Sequence, residues 1–416
     1  MSPSSSEALR ATTRAKYLPS EGRSGSALCL SGGGYRAALF HLGACRRLNE
    51  LGVLAGLDVV SAVSGGSIFA AHLAQCIFTT KGACFADYEG VIAVPFREFV
   101  THDIRTGPAL TRLLPWEWWN AGAGADALAA QYDKLLVKGM LLGDLPPKPR
   151  FVFCATDLTF GVDWVFSRDK VGDYQAGYMT AADTAAQPVA RAVAASSCFP
   201  PVFRPLPMHL RSSDLKGGDA TGDDRDDCVR QLVLTDGGVY DNMGLEPVWK
   251  TCKTVLVSDG GKPFRLAKEH DTPHQLYRMQ DVMANQAEAL RKRWLISGYL
   301  RGDYQGAYFG IQNSVSEYPA ENALGYSKEL AAGVLAKIRT DMDRFSADEI
   351  AVLENHGYTL ADAACKSHLC PSGGAVPPMK ALENRWWPVS MPLPVQTENG
   401  LRAALADSGS VHIFGH

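Results

Sequence analysis

The run Val59-Val60-Ser61-Ala62-Val63, the turn Ser64-Gly65-Gly66 and the stretch from Ser67 to Cys76 together decide the fold class. A short valine-rich run reads as a buried strand, Ser-Gly-Gly as a tight turn, and the apolar spacing beyond it as a helix. The same order occurs just upstream. Ala27-Leu28-Cys29-Leu30 stops at Ser31-Gly32-Gly33-Gly34, after which Leu39, Leu42, Cys45 and Leu48 recur at helical steps and Gly52 closes the segment. That is strand, glycine turn and amphipathic helix with a glycine beyond its end. Two successive units of this kind imply right-handed crossovers and a parallel sheet covered on both faces. The expected architecture is α/β: a three-layer α/β/α arrangement with a mostly parallel central sheet.

Further along, Phe151 to Ala155 and Trp164-Val165-Phe166 read as strands. An alanine-rich helix from Val189 to Ala195 ends at Cys198-Phe199-Pro200-Pro201, because paired prolines cannot continue it. Residues 208–230 are polar and rich in Asp, and read as a surface excursion; their acids lack the alternating spacing of a calcium loop. Two more buried strands, Gln231 to Thr235 and Thr254 to Ser258, each run into Asp-Gly-Gly. The remainder reads as mainly helical, around Met279 to Leu300 and Ser346 to His356, the latter opened by a Ser346/Glu349 capping box and closed at Gly357. The expected organisation is a flexible arm over 1–26, a catalytic domain over 27–265 and a helical region over 266–416 packed on it.

Composition narrows the function classes. The 416 residues carry 41 Lys+Arg against 44 Asp+Glu, which argues against a nucleic-acid partner, since those surfaces concentrate basic charge. No apolar run reaches the ~18 residues of a membrane span. The Ser/Thr-rich start lacks a secretory apolar core, so a cytoplasmic protein, peripheral at a membrane at most, is expected. Ten cysteines without a paired C-x-x-C pattern read as reduced core thiols rather than metal ligands. Cys76/Cys84 and Cys365/Cys370 are close enough in sequence to bridge only in an oxidising compartment.

The chemistry begins at Ser64. A serine at a sharp strand-to-helix turn with small neighbours is pushed out over the sheet edge, although Ala62 stands where the G-x-S-x-G pattern has glycine. The helix behind it favours negative charge on that oxygen. Gly32-Gly33-Gly34 supplies successive amides free to converge on a developing oxyanion, because glycine takes positive φ cheaply. Arg36 is placed to brace that loop or to hold an anionic head group. For a proton acceptor, His270, His274, His356, His368, His412 and His416 lie in no recognisable strand-end context, whereas Asp236 follows a buried strand and precedes Gly237-Gly238. A Ser64–Asp236 dyad is chemically sensible if burial raises the carboxylate's basicity. The second acid, Asp259-Gly260-Gly261, reads as a turn in which Asp caps backbone amides.

These residues resemble the patatin-like phospholipases, a family related to cytosolic phospholipase A2. The resemblance rests on Gly32-Gly33-Gly34-Tyr35-Arg36, Ser64-Gly65-Gly66-Ser67, the segment Ala194 to Pro201, and Asp236-Gly237-Gly238-Val239-Tyr240-Asp241-Asn242, in that order over roughly residues 27–262. Ala37 stands where the family's usual G-G-G-x-R-G has its last glycine. The resemblance implies hydrolysis of a phospholipid or other acyl ester through an acyl-Ser64 intermediate. Asp236 would be the base, Gly32, Gly33 and Gly34 the oxyanion hole, and Gly66, Gly237 and Gly238 supporting residues, with no metal or cofactor. The implied partners are a lipid substrate and a transient membrane surface.

Other readings predict different chemistry. A Ser-His-Asp triad would use one of the late histidines. A retained fold without catalysis would serve as a lipid-binding or regulatory module. Gly32, Gly34 and Ala37 also fit a dinucleotide fingerprint, but the acid that reading needs at the end of the second strand is missing. Trp116, Trp118 and Trp119 suit either an interfacial anchor or aromatic packing.

Overall fold

A computed structural model describes residues 22–111, 122–200, 202–264, 272–320, 323–369 and 376–408. Most of the arm, the Trp116/Trp118/Trp119 cluster, Cys370, His270, His412 and His416 lie outside the described residues. The last residues of the stretch read as an arm are docked. Ser24 donates its amide to the Thr251 carbonyl, and the Arg23 guanidinium reaches the Asp303 carbonyl and stacks on Tyr304.

The two strand-turn-helix units form as read: β1 (Ser26–Leu30) leads to α1 (Gly34–Glu50), and β2 (Val59–Val63) leads to α2 (Gly65–Thr80). After α3 (Ala123–Tyr132) come β3 (Arg150–Asp157), β4 (Val162–Ser167), β5 (Val171–Asp173), β6 (Gly177–Met179) and α4 (Val189–Ser197). Next are β7 (Leu206–Pro207), β8 (Leu215–Lys216), α5 (Asp223–Arg230), β9 (Val233–Asp236) and β10 (Thr254–Asp259). The chain continues through α6 (Thr272–Arg301), β11 (Gln305–Gly310) and α7 (Ala347–His368).

The sheet runs β11-β10-β1-β2-β3 with every neighbour parallel, then continues antiparallel through β4, β5, β6 and β8. Strand alternation builds the layers. Leu28 and Leu30 enter the larger core beneath α1, α2 and α7, while Ala27 and Cys29 enter a second core with Met243, Val248 and Leu295. The stretch read as a polar excursion is partly structured: β8 pairs with β6, α5 follows, and Val229 reaches the core.

Two local readings change. Gln305-Gly306-Ala307-Tyr308-Phe309-Gly310 is a strand on the far side of β10, although it lacks valine or isoleucine and follows a long helix. Gly357 does not close a helix. It lies inside α7, where a Cβ would collide with the Phe40 carbonyl, and Gly43 of α1 faces the Glu354 carbonyl in the same way. Both glycines serve a close helix crossing, so a side chain at either must push the backbones apart. Gly43→Ala is expected to lower unfolding free energy by about 1–3 kcal/mol, read from urea denaturation. An unchanged midpoint would show that the crossing opens at no cost.

Candidate active site

β3 brings the two key residues together. Along one edge, β2 pairs with its first half, Val63 lying opposite Cys154, while β9 pairs with its second half, Asp236 lying opposite Ala155. β9 is antiparallel to β3, so it meets β2 head-on rather than running beside it. Ser64 follows the last residue of one strand and Asp236 is the last residue of the other. The sequence reading brought both side chains to one sheet edge; the pairing shows that they arrive there from opposite directions.

Ser64 caps the amino end of α2 with φ 50° and ψ −116°, a conformation rare for a residue with a Cβ. Its amide is held by the Ser196 hydroxyl at 2.9 Å, which in turn bonds the Cys154 carbonyl at 2.6 Å and the Ser67 hydroxyl at 2.8 Å. With one donor and two lone pairs, that hydroxyl is fully used. Ser196 also fixes the acid, since its carbonyl accepts the Gly237 amide. The Ala194 to Pro201 segment therefore ties the elbow to the strand carrying Asp236 through Ser196. The sequence marked the segment but not this contact.

Asp236 is buried beside Ser64 at the cavity, and its carboxylate accepts the Gly238 amide at 2.7 Å. Burial pushes its pKa up to about 6, against the lowering effects of the nearby Ser64 hydroxyl and the Gly238 amide. Its backbone is fixed as well. The Asp236 carbonyl accepts from Thr156 at 2.9 Å, and Thr156 in turn accepts the Tyr240 amide at 3.1 Å.

The glycine loop lies across the same point. Gly32 donates to the Asn242 carbonyl at 3.0 Å and Gly66 to the Ser31 carbonyl at 3.1 Å, which locks loop and elbow together. Gly33 and Gly34 take φ 137° and 57°. Their amides have no hydrogen-bond partner among the described residues and border the cavity next to Ser64. Arg36 is fully buried and braces rather than binds: its guanidinium reaches the carbonyls of Gly260, Ala336 and Ile338 at 2.8–3.3 Å. The Asp341 carbonyl accepts the Tyr35 amide at 2.9 Å, so residues 336–341 clamp the loop from the C-terminal third. Nothing local in the sequence announces that clamp.

A cavity of about 340 Å³ opens above Ser64 and Asp236. Phe199, Val202, Phe203 and Met342 form an apolar side, while Asn285, Glu288 and Arg291 of α6 contribute polar groups. Burial first, and then the nearby Asp259, push the Glu288 carboxyl up to about 8.

The other candidates are engaged elsewhere. Asp259 accepts the Tyr308 hydroxyl at 2.6 Å and the Gly261 amide at 2.9 Å, as a capping turn does. Asp259→Asn is expected to lower turnover by less than about tenfold; complete loss in a steady-state assay would make it the base instead. The rings of His41, His72 and His356 bond the carbonyls of Ser31, Ile92 and Ile311, and burial lowers each pKa to about 4. No histidine of the described residues borders the cavity, and no cluster of metal-ligating side chains occurs among them.

No match to the chain was found among curated proteins. Among solved structures, human GIVD cytosolic phospholipase A2 is similar at 13% identity and TM-score 0.40, over 61% of this chain and 48% of that one. The same human protein in complex with methyl gamma-linolenyl fluorophosphonate and terbium chloride is similar at 14% identity and TM-score 0.47, over 86% and 60%. VipD from Legionella pneumophila is similar at 15% identity and TM-score 0.34, over 83% and 67%. The chain thus spans about half to two thirds of the length of these structures. The family model for patatin-like phospholipases matches residues 28–249, from β1 past the Asp-Gly-Gly of Asp236. With more than half of its residues inside that match, the chain belongs to the patatin-like phospholipase family.

Proposed function

We propose that the protein hydrolyses an acyl ester of a phospholipid or lysophospholipid through a Ser64–Asp236 dyad. The observation carrying this reading is that Ser64 and the buried Asp236 carboxylate line one cavity, the hydroxyl close enough to act on a carboxyl whose pKa burial has raised to about 6. Such a carboxylate is ionised at neutral pH yet basic enough to accept a proton as the hydroxyl attacks.

In the first half-reaction Ser64 Oγ bonds to the ester carbonyl carbon as its proton passes to Asp236. The carbonyl oxygen becomes negative beside the free Gly33 and Gly34 amides. Collapse breaks the ester bond, and the departing alcohol takes the proton back from Asp236. In the second half-reaction Asp236 removes a proton from water, whose oxygen attacks the acyl-Ser64 carbonyl. Collapse then releases the fatty acid and restores the hydroxyl. The acyl chain runs along Phe199, Val202, Phe203 and Met342, and the alcohol portion lies toward Asn285, Glu288 and Arg291. Neither metal nor cofactor takes part. His41, His72 and His356 are bonded elsewhere and no described histidine borders the cavity, which favours the dyad over a triad.

Incubation with a mixed lipid extract, with products identified by mass spectrometry, tests the reading. Wild type should release free fatty acid and the matching lysolipid or glycerol compound, while Ser64→Ala should release neither. Equal product from both proteins, or none from wild type on any phospholipid, lysolipid or short ester, would overturn it in favour of a binding module.

A further inference from the structure

Helix α6 is arranged inside out. At about 100° per residue, Asp281, Ala284, Asn285, Glu288 and Arg291 share the face that borders the cavity. Met279, Val282, Met283, Leu290 and Leu300 fall on the opposite face, and all five are exposed, Met283 by 70% and Leu300 by 84%. An ordinary surface helix buries its apolar stripe and shows solvent its charges. Here the C-terminal half is anchored by Leu295, by Trp294 packed on Trp249 and Tyr304, and by the Tyr299 hydroxyl on the Val255 carbonyl. The rest projects over the cavity with its apolar side outward.

Two further observations indicate what covers that face. The cavity itself has exposed apolar side chains at its border, Phe199, Val239 and Phe264, so apolar surface surrounds the site as well as α6. Charge is the second. The chain carries a net charge of −3, yet α6 has five basic side chains against two acidic ones, with exposed Arg293 on the same outward face as Leu290 and both acids, Asp281 and Glu288, on the cavity face. A basic helix with an apolar face, too polar to cross a bilayer, has the character of an interfacial helix lying at an anionic surface.

We propose that the Met279–Leu300 face of α6, with Phe199, Val239 and Phe264, docks on an anionic lipid bilayer and presents the cavity mouth to it. This deepens the acyl-hydrolase reading, because it gives the substrate a route from the bilayer into the cavity. Binding and hydrolysis are nonetheless separate measurements.

The probes are vesicles of phosphatidylcholine alone or mixed with phosphatidylserine, read by co-sedimentation, and a monomeric short-chain p-nitrophenyl ester for the site. Wild type should sediment with the mixed vesicles more strongly than with phosphatidylcholine alone. V282S/M283S/L290S changes side chains that do not border the cavity, so it should cleave the soluble ester at close to the parental rate while losing about tenfold or more in vesicle partitioning. Hydrogen exchange of wild type should slow across residues 279–300 when mixed vesicles are added, a readout that does not depend on the variant folding. Parental vesicle binding by the variant, or wild type that ignores both vesicles, would overturn the proposal. So would a wild-type dimer that the same substitutions dissolve without changing vesicle binding. Vesicle binding without hydrolysis of any ester would leave the docking surface standing and remove the acyl-hydrolase reading.

Discussion

Ser64→Ala is expected to reduce kcat/KM for a hydrolysed lipid by about 10⁴- to 10⁶-fold, the scale of removing a nucleophile whose partners act with it as one unit. The loss should appear in kcat, because the hydroxyl bonds the substrate only as the reaction proceeds. Folding should be nearly untouched: the neighbours that set the elbow, Ser196 on the Ser64 amide and Gly66 on the Ser31 carbonyl, do not use the Ser64 side chain. A variant that melts with wild type and retains a tenth or more of the activity would remove Ser64 from the chemistry.

Asp236→Asn carries the next largest effect, about 10³-fold or more in kcat. Asparagine keeps the shape and can still accept the Gly238 amide, but it cannot take the Ser64 proton. In wild type the rate should fall as pH drops through about 6, where burial places the Asp236 pKa and protonation blanks the base. Whatever rate the variant retains should lack that limb. Stability should move the other way. The folded carboxyl titrates near 6, above the ordinary carboxylate range, so the native state holds a proton that the unfolded chain has already lost. Wild type therefore loses stability as pH rises from about 4 to about 6, and stays lower above it. Asp236→Asn removes that slope and should melt higher than wild type at pH 8. Loss of activity together with lower melting would instead mean that the carboxylate supports the fold.

Where signals were local, the sequence was readable. β1, β2 and their helices, the glycine turn and the serine elbow each depend on a few adjacent residues, and all form where the pattern put them. Asp236 could be singled out by its strand and its glycines, but strand direction is not written in a hydrophobic run, so the head-on approach of β9 was invisible. β11 was missed because Gln305-Gly306-Ala307 lacks the branched residues that mark strands, its place being secured by the ladder to β10. Gly357 looked like a helix end because glycine serves both at ends and at close crossings, and only Phe40 decides between them. The Asp341 carbonyl on the Tyr35 amide and the Arg36 contacts to Ala336 and Ile338 join residues some 300 apart, beyond the reach of any motif.

The proposed chemistry turns on Ser64 being made nucleophilic by Asp236. Labelling with a long-chain fluorophosphonate, followed by peptide mass spectrometry across a pH series, tests that most directly. The predicted result is one adduct, on Ser64, forming more slowly as pH falls through about 6 and slower by about 10³-fold in Asp236→Asn. An adduct on another residue, or a Ser64 labelling rate that Asp236→Asn leaves unchanged, would contradict it.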